Sequence, residues 1–240
     1  MKICVAQTKP VKADIATNID HHKKMVWLAA ANGADYIFFP ELSLTGYEPG
    51  LAAALATTAD DSRFDDFQKI SDAKQITIAA GMPLKSAAGT QIGMLIFQPH
   101  QLRQTYCKQY LHPDEYPFFI NGHQQIILAH NSMAIAICYE LFVPAHIEHA
   151  HQTGAKIYVA SVAKSATGVD KAVDHLAGIA KKYSMPVFMS NCIGHCDDFD
   201  CGGKTSAWDN KGRLIGQLGN TNEGILIMDT VTQEVIEKTL

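Results

Sequence analysis

Gly33-Ala34-Asp35-Tyr36-Ile37-Phe38-Phe39-Pro40-Glu41-Leu42-Ser43-Leu44-Thr45-Gly46-Tyr47 is the stretch on which the fold turns. Gly33 stops a helix, residues 35–39 form an apolar strand, and Pro40 ends it with Glu41 just beyond. Upstream, residues 2–8 read as a strand. A helix over 17–31, capped by Thr17, turns Ile19, Met25, Val26 and Ala30 inward and His21-His22-Lys23-Lys24 outward. The same helix-stop-then-strand junction returns at Gly154-Ala155-Lys156-Ile157-Tyr158-Val159-Ala160. Between and after these, residues 61–74, 146–153 and 170–184 read as helices. Residues 75–81, 91–98, 126–129, 133–138, 156–163 and 186–192 read as strands, with turns over 86–90 and at His130-Asn131-Ser132, and short strands follow residue 204. Near-continuous apolar strands separated by helices imply an α/β fold with helix-covered sheets. No linker or low-complexity segment divides residues 1–240, so one domain is expected.

Composition narrows the partners. The 240 residues carry 20 basic and 24 acidic side chains, a net charge of −4, with no long basic run. Nucleic acid and acidic membrane surfaces are therefore not the expected partners. No apolar run is long enough to span a bilayer, and the first residues read as a strand without an export signal. Six cysteines in such a chain do not make a stapled secreted scaffold, so free thiols in the cytoplasm are expected.

Three reactive groups lie near strand ends, where loops converge over a rigid base. Glu41 follows the strand over 35–39. Lys108 lies in Tyr106-Cys107-Lys108-Gln109-Tyr110. Cys138 ends Ala134-Ile135-Ala136-Ile137-Cys138. A carboxylate that takes a thiol proton, a thiolate that attacks carbon and an ammonium that stabilises the oxyanion would make a nucleophilic hydrolase. Each also has an ordinary reading: a buried thiol, a turn carboxylate, a solvated lysine. Spacing alone does not assemble them.

The surrounding words do. Phe39-Pro40-Glu41-Leu42-Ser43-Leu44-Thr45-Gly46-Tyr47 resembles the first signature of the nitrilase superfamily, the carbon–nitrogen hydrolases. Tyr106-Cys107-Lys108-Gln109-Tyr110-Leu111 resembles its lysine motif, Cys138-Tyr139-Glu140 its nucleophile motif, and Glu115-Tyr116-Pro117-Phe118-Phe119-Ile120-Asn121-Gly122 the segment with a second active-site glutamate. Asn191, Gly202-Gly203 and Trp208-Asp209-Asn210-Lys211-Gly212 fit the C-terminal pattern. The resemblance covers almost the whole chain and points to the amidase-like branch. It implies a four-layer αββα sandwich of two mixed sheets with helices outside. It implies Glu41 as general base, Cys138 as nucleophile, Lys108 as electrostatic stabiliser, Glu115 as either its orienting partner or a positioner of the hydrolytic water, and the Tyr139 backbone N–H as second oxyanion donor. The expected reaction converts a small carboxamide to carboxylate and ammonia through a thioester, without metal or organic cofactor, in a homodimer or larger assembly. The alternatives are nitrile hydrolysis at the same site and a catalytically silent metabolite-binding protein.

Leu141-Phe142-Val143-Pro144 stands where the family commonly has Leu-Arg-Phe-Pro, so the arginine is missing. Lys164 is a candidate replacement cation, and Tyr47 and His112 are candidate lining residues. Two further clusters compete with ordinary readings. Cys192, His195, Cys196 and Cys201 could ligate zinc or be free, oxidisable thiols. His146, His149 and His151 are expected on a solvated helix face. Gly202-Gly203-Lys204-Thr205 is not a phosphate loop, because Asp198 stands where glycine is required.

Overall fold

The computed structural model describes residues 1–123, 127–128 and 132–240. The elements run β1 (Lys2–Gln7), α1 (Ile15–Ala31), β2 (Tyr36–Phe38), α2 (Ala52–Leu55), α3 (Asp65–Lys74), β3 (Thr77–Ser86), β4 (Gly89–Phe97), β5 (Gln104–Cys107), β6 (Ile127–Leu128), β7 (Met133–Ile137), α4 (Pro144–Gln152), β8 (Ile157–Ser161), α5 (Ala166–Tyr183), β9 (Val187–Ser190), β10 (Ile193–Cys196), β11 (Phe199–Gly202), β12 (Ser206–Trp208), β13 (Leu214–Gln217), β14 (Gly224–Asp229) and β15 (Val235–Thr239). Of the strand expected over 126–129 and the turn after it, Ile126, Ala129, His130 and Asn131 lie outside the described residues.

Two mixed sheets result. One has the order β15-β14-β1-β2-β3-β4-β5, with β1, β2 and β3 parallel. The other has the order β13-β12-β9-β8-β7-β6, with β7, β8 and β9 parallel. Strand periodicity explains how they stack. Ile3 and Val5 of β1, and Met133, Ile135 and Ile137 of β7, enter the core between the sheets. Cys4 and Ala6 turn instead toward α1 and α3, and Ala134 and Ala136 toward α4 and α5. Both faces of these strands are buried, which is why they read as unbroken apolar runs. The result is the four-layer αββα sandwich, held by three apolar layers in which each fully buried Ile or Phe contributes about 1.5–3 kcal/mol.

The sheets are tied together at the C-terminal ends of their parallel strands. Ser161 Oγ donates to the Phe39 carbonyl at 2.8 Å, and Ser190 Oγ to that of Ala6 at 2.8 Å. This juxtaposition brings the loops after β2, β7 and β8 to one place.

Two local expectations need correction. Helix α1 is capped by Asp14, whose Oδ1 accepts from Thr17 N at 3.0 Å, so Thr17 lies inside the first turn. His22 is not on a solvated face. It is buried, stacked on Phe39 at 4.1 Å, and bonded to Asn18 O and Ser43 Oγ. The short Ser43 hydroxyl on the neighbouring loop gives the imidazole a partner, which makes its burial tolerable.

Candidate active site

Glu41 sits just beyond the β2 end, 1% exposed, and the chain turns sharply after it, with Leu42 at φ 50°. The loop is braced from α1 by the His22–Ser43 bond and by Asn18 Nδ2 donating to Leu44 O at 3.1 Å. From the sheet side, Gly81 approaches so closely that a Cβ there would lie 2.3 Å from Leu42 N and 2.5 Å from Pro40 O.

Lys108 follows β5 and is fully buried. Its Nζ donates to Glu41 Oε1 at 2.8 Å and to Glu115 Oε1 at 2.6 Å. Glu115 is fixed by Tyr47 Oη at 3.1 Å and by the His112 backbone N–H at 2.7 Å. Burial works against the Lys108 charge, but Glu41, Cys138 and Glu115 outweigh it and hold the ammonium above its ordinary pKa. A solvated loop lysine, the ordinary reading of this residue, is thus not what the fold makes of it. Burial likewise lifts the Glu41 carboxyl above its usual range, opposed by Lys108.

Cys138 begins a 3₁₀ turn, Cys138–Phe142, at the end of β7, with φ 45°. Such left-handed backbone in a non-glycine residue costs about 1–3 kcal/mol and aims the side chain out of the strand direction. The thiol is half-buried and pushed up to about 11 by burial and by Glu41, against the pull of Lys164 and Lys108. It therefore rests as a thiol. Its Sγ lies 3.9 Å from the Ala163 carbonyl. It also acts as a hydrogen-bonding neighbour of the Glu41 carboxyl, yet Glu41 Oε2 is buried with no formed bond among the described residues.

Cys138 and Glu115 line a cleft of 540 Å³, and Lys108 and Glu41 lie buried beyond Glu115 in the same hydrogen-bonded chain. The cleft wall includes Cys138, Tyr139, Glu115, Tyr47, His112, Phe118, Phe142, Lys164 and, from the β10–β11 hairpin, Asp197, Asp198 and Phe199. Lys164 lies with Nζ 4.8 Å from the Phe142 ring centroid. Its loop is positioned by Asn191, whose Oδ1 accepts from Lys164 N at 2.9 Å and whose Nδ2 donates to Gly203 O at 2.7 Å. All the sequence-derived site residues, Glu41, Lys108, Glu115, Cys138, Tyr139, Tyr47, His112 and Lys164, are therefore in this neighbourhood.

Sequence reasoning missed a buried clamp behind the cleft. Glu140 Oε2 accepts from Ile137 N at 2.7 Å and from Tyr106 Oη at 2.7 Å, while Oε1 accepts from Gln109 N and Tyr110 N. One carboxylate thereby ties the loop carrying Lys108 to the turn carrying Cys138. Burial pushes it up to about 7 despite these donors. His146 completes the network through Tyr106 Oη at 3.0 Å and Tyr158 Oη at 2.9 Å. It is buried, not on the solvated face expected for it, whereas His149 and His151 are exposed. The carboxylate that closes the nucleophile word was the available signal, since a buried one must find donors.

His195 does not join the three nearby thiols. It is exposed and faces Asp200 at 3.1 Å. Cys192, Cys196 and Cys201 are buried together, and the two neighbouring thiols hold Cys196 below the ordinary thiol pKa.

The two-sheet sandwich thus holds a buried carboxylate–ammonium pair and a thiol at the end of a parallel strand. Residues 2–239 match the carbon-nitrogen hydrolase family model, and the chain belongs to that family of enzymes. It is 21% identical to the glutamine-dependent NAD(+) synthetase of Thermotoga maritima over its full length, and spans 44% of that protein. Two solved structures of an amidase from Nesterenkonia sp. AN1 share the fold. A mutant in complex with butyramide is 21% identical with a TM-score of 0.85, covering 95% of this chain and 89% of that one. A second mutant shows covalent addition of the acetamide moiety of fluoroacetamide at the active site cysteine, at 21% identity and a TM-score of 0.84, with the same coverage.

Proposed function

We propose that this carbon–nitrogen hydrolase is a cysteine-dependent amidase that converts a small primary carboxamide to a carboxylate and ammonia. The observation that carries the reading is the fully buried Lys108 bridging Glu41 and Glu115 beside the Cys138 thiol at the base of an open cleft. Butyramide bound to the Nesterenkonia amidase supports the substrate class, and the cysteine adduct in that enzyme supports Cys138 as nucleophile.

The steps follow from the protonation states. Because Cys138 rests as a thiol, it needs a base, and the unpartnered Glu41 Oε2 takes its proton. The sulfur attacks the amide carbon, and the oxyanion that forms is stabilised by Lys108 Nζ and the Tyr139 N–H. That N–H lies in the first turn of a helix, where it has no intrahelical acceptor. Glu41 then gives its proton to the nitrogen, ammonia leaves, and a thioester remains. Water, losing its proton to Glu41, hydrolyses the thioester and releases the thiol. Glu115 keeps Lys108 oriented throughout, and the chemistry asks nothing of a cofactor.

Lys164 favours a particular subset of amides, those carrying a carboxylate remote from the reacting group. Its ammonium lines the cleft, and its charge acts on the Cys138 thiol. The synthetase relative is named for glutamine, an amide of this kind. The test is ammonia release from butyramide, glutamine and butyronitrile, with intact-mass detection of an acyl adduct on Cys138. Turnover of the amides with an acyl adduct is expected. Turnover of the nitrile alone would replace the amide reading, and no adduct or ammonia from any of them would favour a silent binding protein.

A further inference from the structure

The reaction leaves Cys192, Cys196 and Cys201 unused. Cys192 follows the end of β9. Cys196 and Cys201 share one face of the β10–β11 hairpin, because Gly194 pairs with Cys201 and lies two residues from Cys196. All three are buried, and their sulfurs lie within 4.8 Å of one another. Ala163, Tyr47 and Phe199 pack around them, so the cluster sits directly behind the cleft wall.

We propose that these three thiols form a trigonal site for a soft d10 metal ion, monovalent copper being the ion whose coordination they match. The donor set is the first argument. Thiolates select soft ions such as Cu(I) and zinc over hard ones. Structural zinc is almost always four-coordinate, and among the described residues no fourth His, Cys, Asp or Glu ligand atom joins the group. His195, the neighbour best placed in sequence, is on the opposite face and paired with Asp200. Three-coordinate Cu(I) needs no further ligand. Size is the second argument. Metal–sulfur bonds of about 2.3 Å place three sulfurs of a planar triangle about 4.0 Å apart. Separations of up to 4.8 Å close to that by small side-chain rotations without moving the strands.

The ion would pin the hairpin to the end of β9. The hairpin carries Asp197, Asp198 and Phe199 into the cleft, and Gly202 N donates to Lys164 O at 2.8 Å. Loading therefore stiffens a wall of the cleft without touching the reacting atoms.

The experiment uses the full chain, reduced and anaerobic, in a Cys138→Ser background so that the reactive thiol does not compete. Cu(I) is presented by a chelator of known affinity, and bound metal is counted by native mass spectrometry. One equivalent is expected. Cys192→Ser, Cys196→Ser and Cys201→Ser should each lower retention at least tenfold at fixed chelator, while Cys107→Ser keeps it. Should a serine variant fail to fold, alkylation footprinting of the parent gives the same answer: Cu(I) should protect these three cysteines and leave Cys107 labelled. No retained copper, retention unchanged by the serine variants, or displacement by equimolar zinc would overturn the proposal. So would protection produced by peroxide and not by copper, which would mark the cluster as a thiol-oxidation site.

Discussion

Replacing Lys108 by Met tests the site electrostatics most directly. The substitution keeps the length of the side chain and removes the charge between two buried carboxylates, at 2.8 Å from Glu41 and 2.6 Å from Glu115. At an effective dielectric of about 20, a single contact of this length is on the order of 6 kcal/mol of Coulomb attraction. Desolvation of the ammonium offsets much of it, and breaking such buried pairs costs about 3–5 kcal/mol net. The pH dependence follows from Glu41. Its folded pKa is already raised above the ordinary 4.5 by burial, with Lys108 opposing and Glu115 reinforcing the rise. Without Lys108 it rises further, so the folded state holds a proton that the unfolded chain releases above 4.5. Stability is then fully present below the unfolded pKa and is lost as pH increases toward the folded one. Each further tenfold tightening of the folded carboxyl's hold on its proton adds about 1.4 kcal/mol to that loss. Urea unfolding of wild type and Lys108→Met, followed by fluorescence at pH 5.5 and 8, should show a larger deficit at pH 8 than at pH 5.5. Amide turnover should fall by about two to three orders of magnitude. A deficit equal at the two pH values, or greater at 5.5, would refute the reasoning.

Four other perturbations probe different parts of the arrangement. Cys138→Ala should abolish turnover and the acyl adduct while leaving urea unfolding close to wild type, and Glu41→Gln should lower kcat by several orders of magnitude; near-normal hydrolysis by Cys138→Ala would exclude it as nucleophile. Gly81→Ala drives a Cβ into the backbone of residues 40–42, so the Glu41 loop must shift. Destabilisation of about 1–3 kcal/mol and a fall in kcat are expected from paired unfolding and rate measurements. Glu140, pushed up to about 7 from 4.5, should make wild-type stability decline as pH rises between those values. Glu140→Gln should flatten that decline and slow turnover by loosening the Lys108 and Cys138 segments, as read from unfolding and kinetics between pH 5 and 8.

The α/β alternation, the parallel strand cores and the positions of Glu41, Lys108 and Cys138 were legible in the sequence. Local periodicity sets which strand faces are apolar, and short words such as Pro40-Glu41 and Cys138-Tyr139-Glu140 record local turns. Burial of polar groups was not legible in this way. His22 and His146 sit among charged or polar neighbours in the chain, and only the packing of Ser43, Tyr106 and Tyr158 against them provides the partners that allow them inside. Lys108 reads as a surface lysine until two carboxylates, one of them 67 residues away, close around it. The sequence by itself determined the elements and the reactive residue types, because backbone propensity and side-chain period act over a few residues. Tertiary structure alone decided the charge states, the clamp by Glu140 and the separation of His195 from the three thiols, because desolvation and Coulomb interaction depend on distance in space and not along the chain.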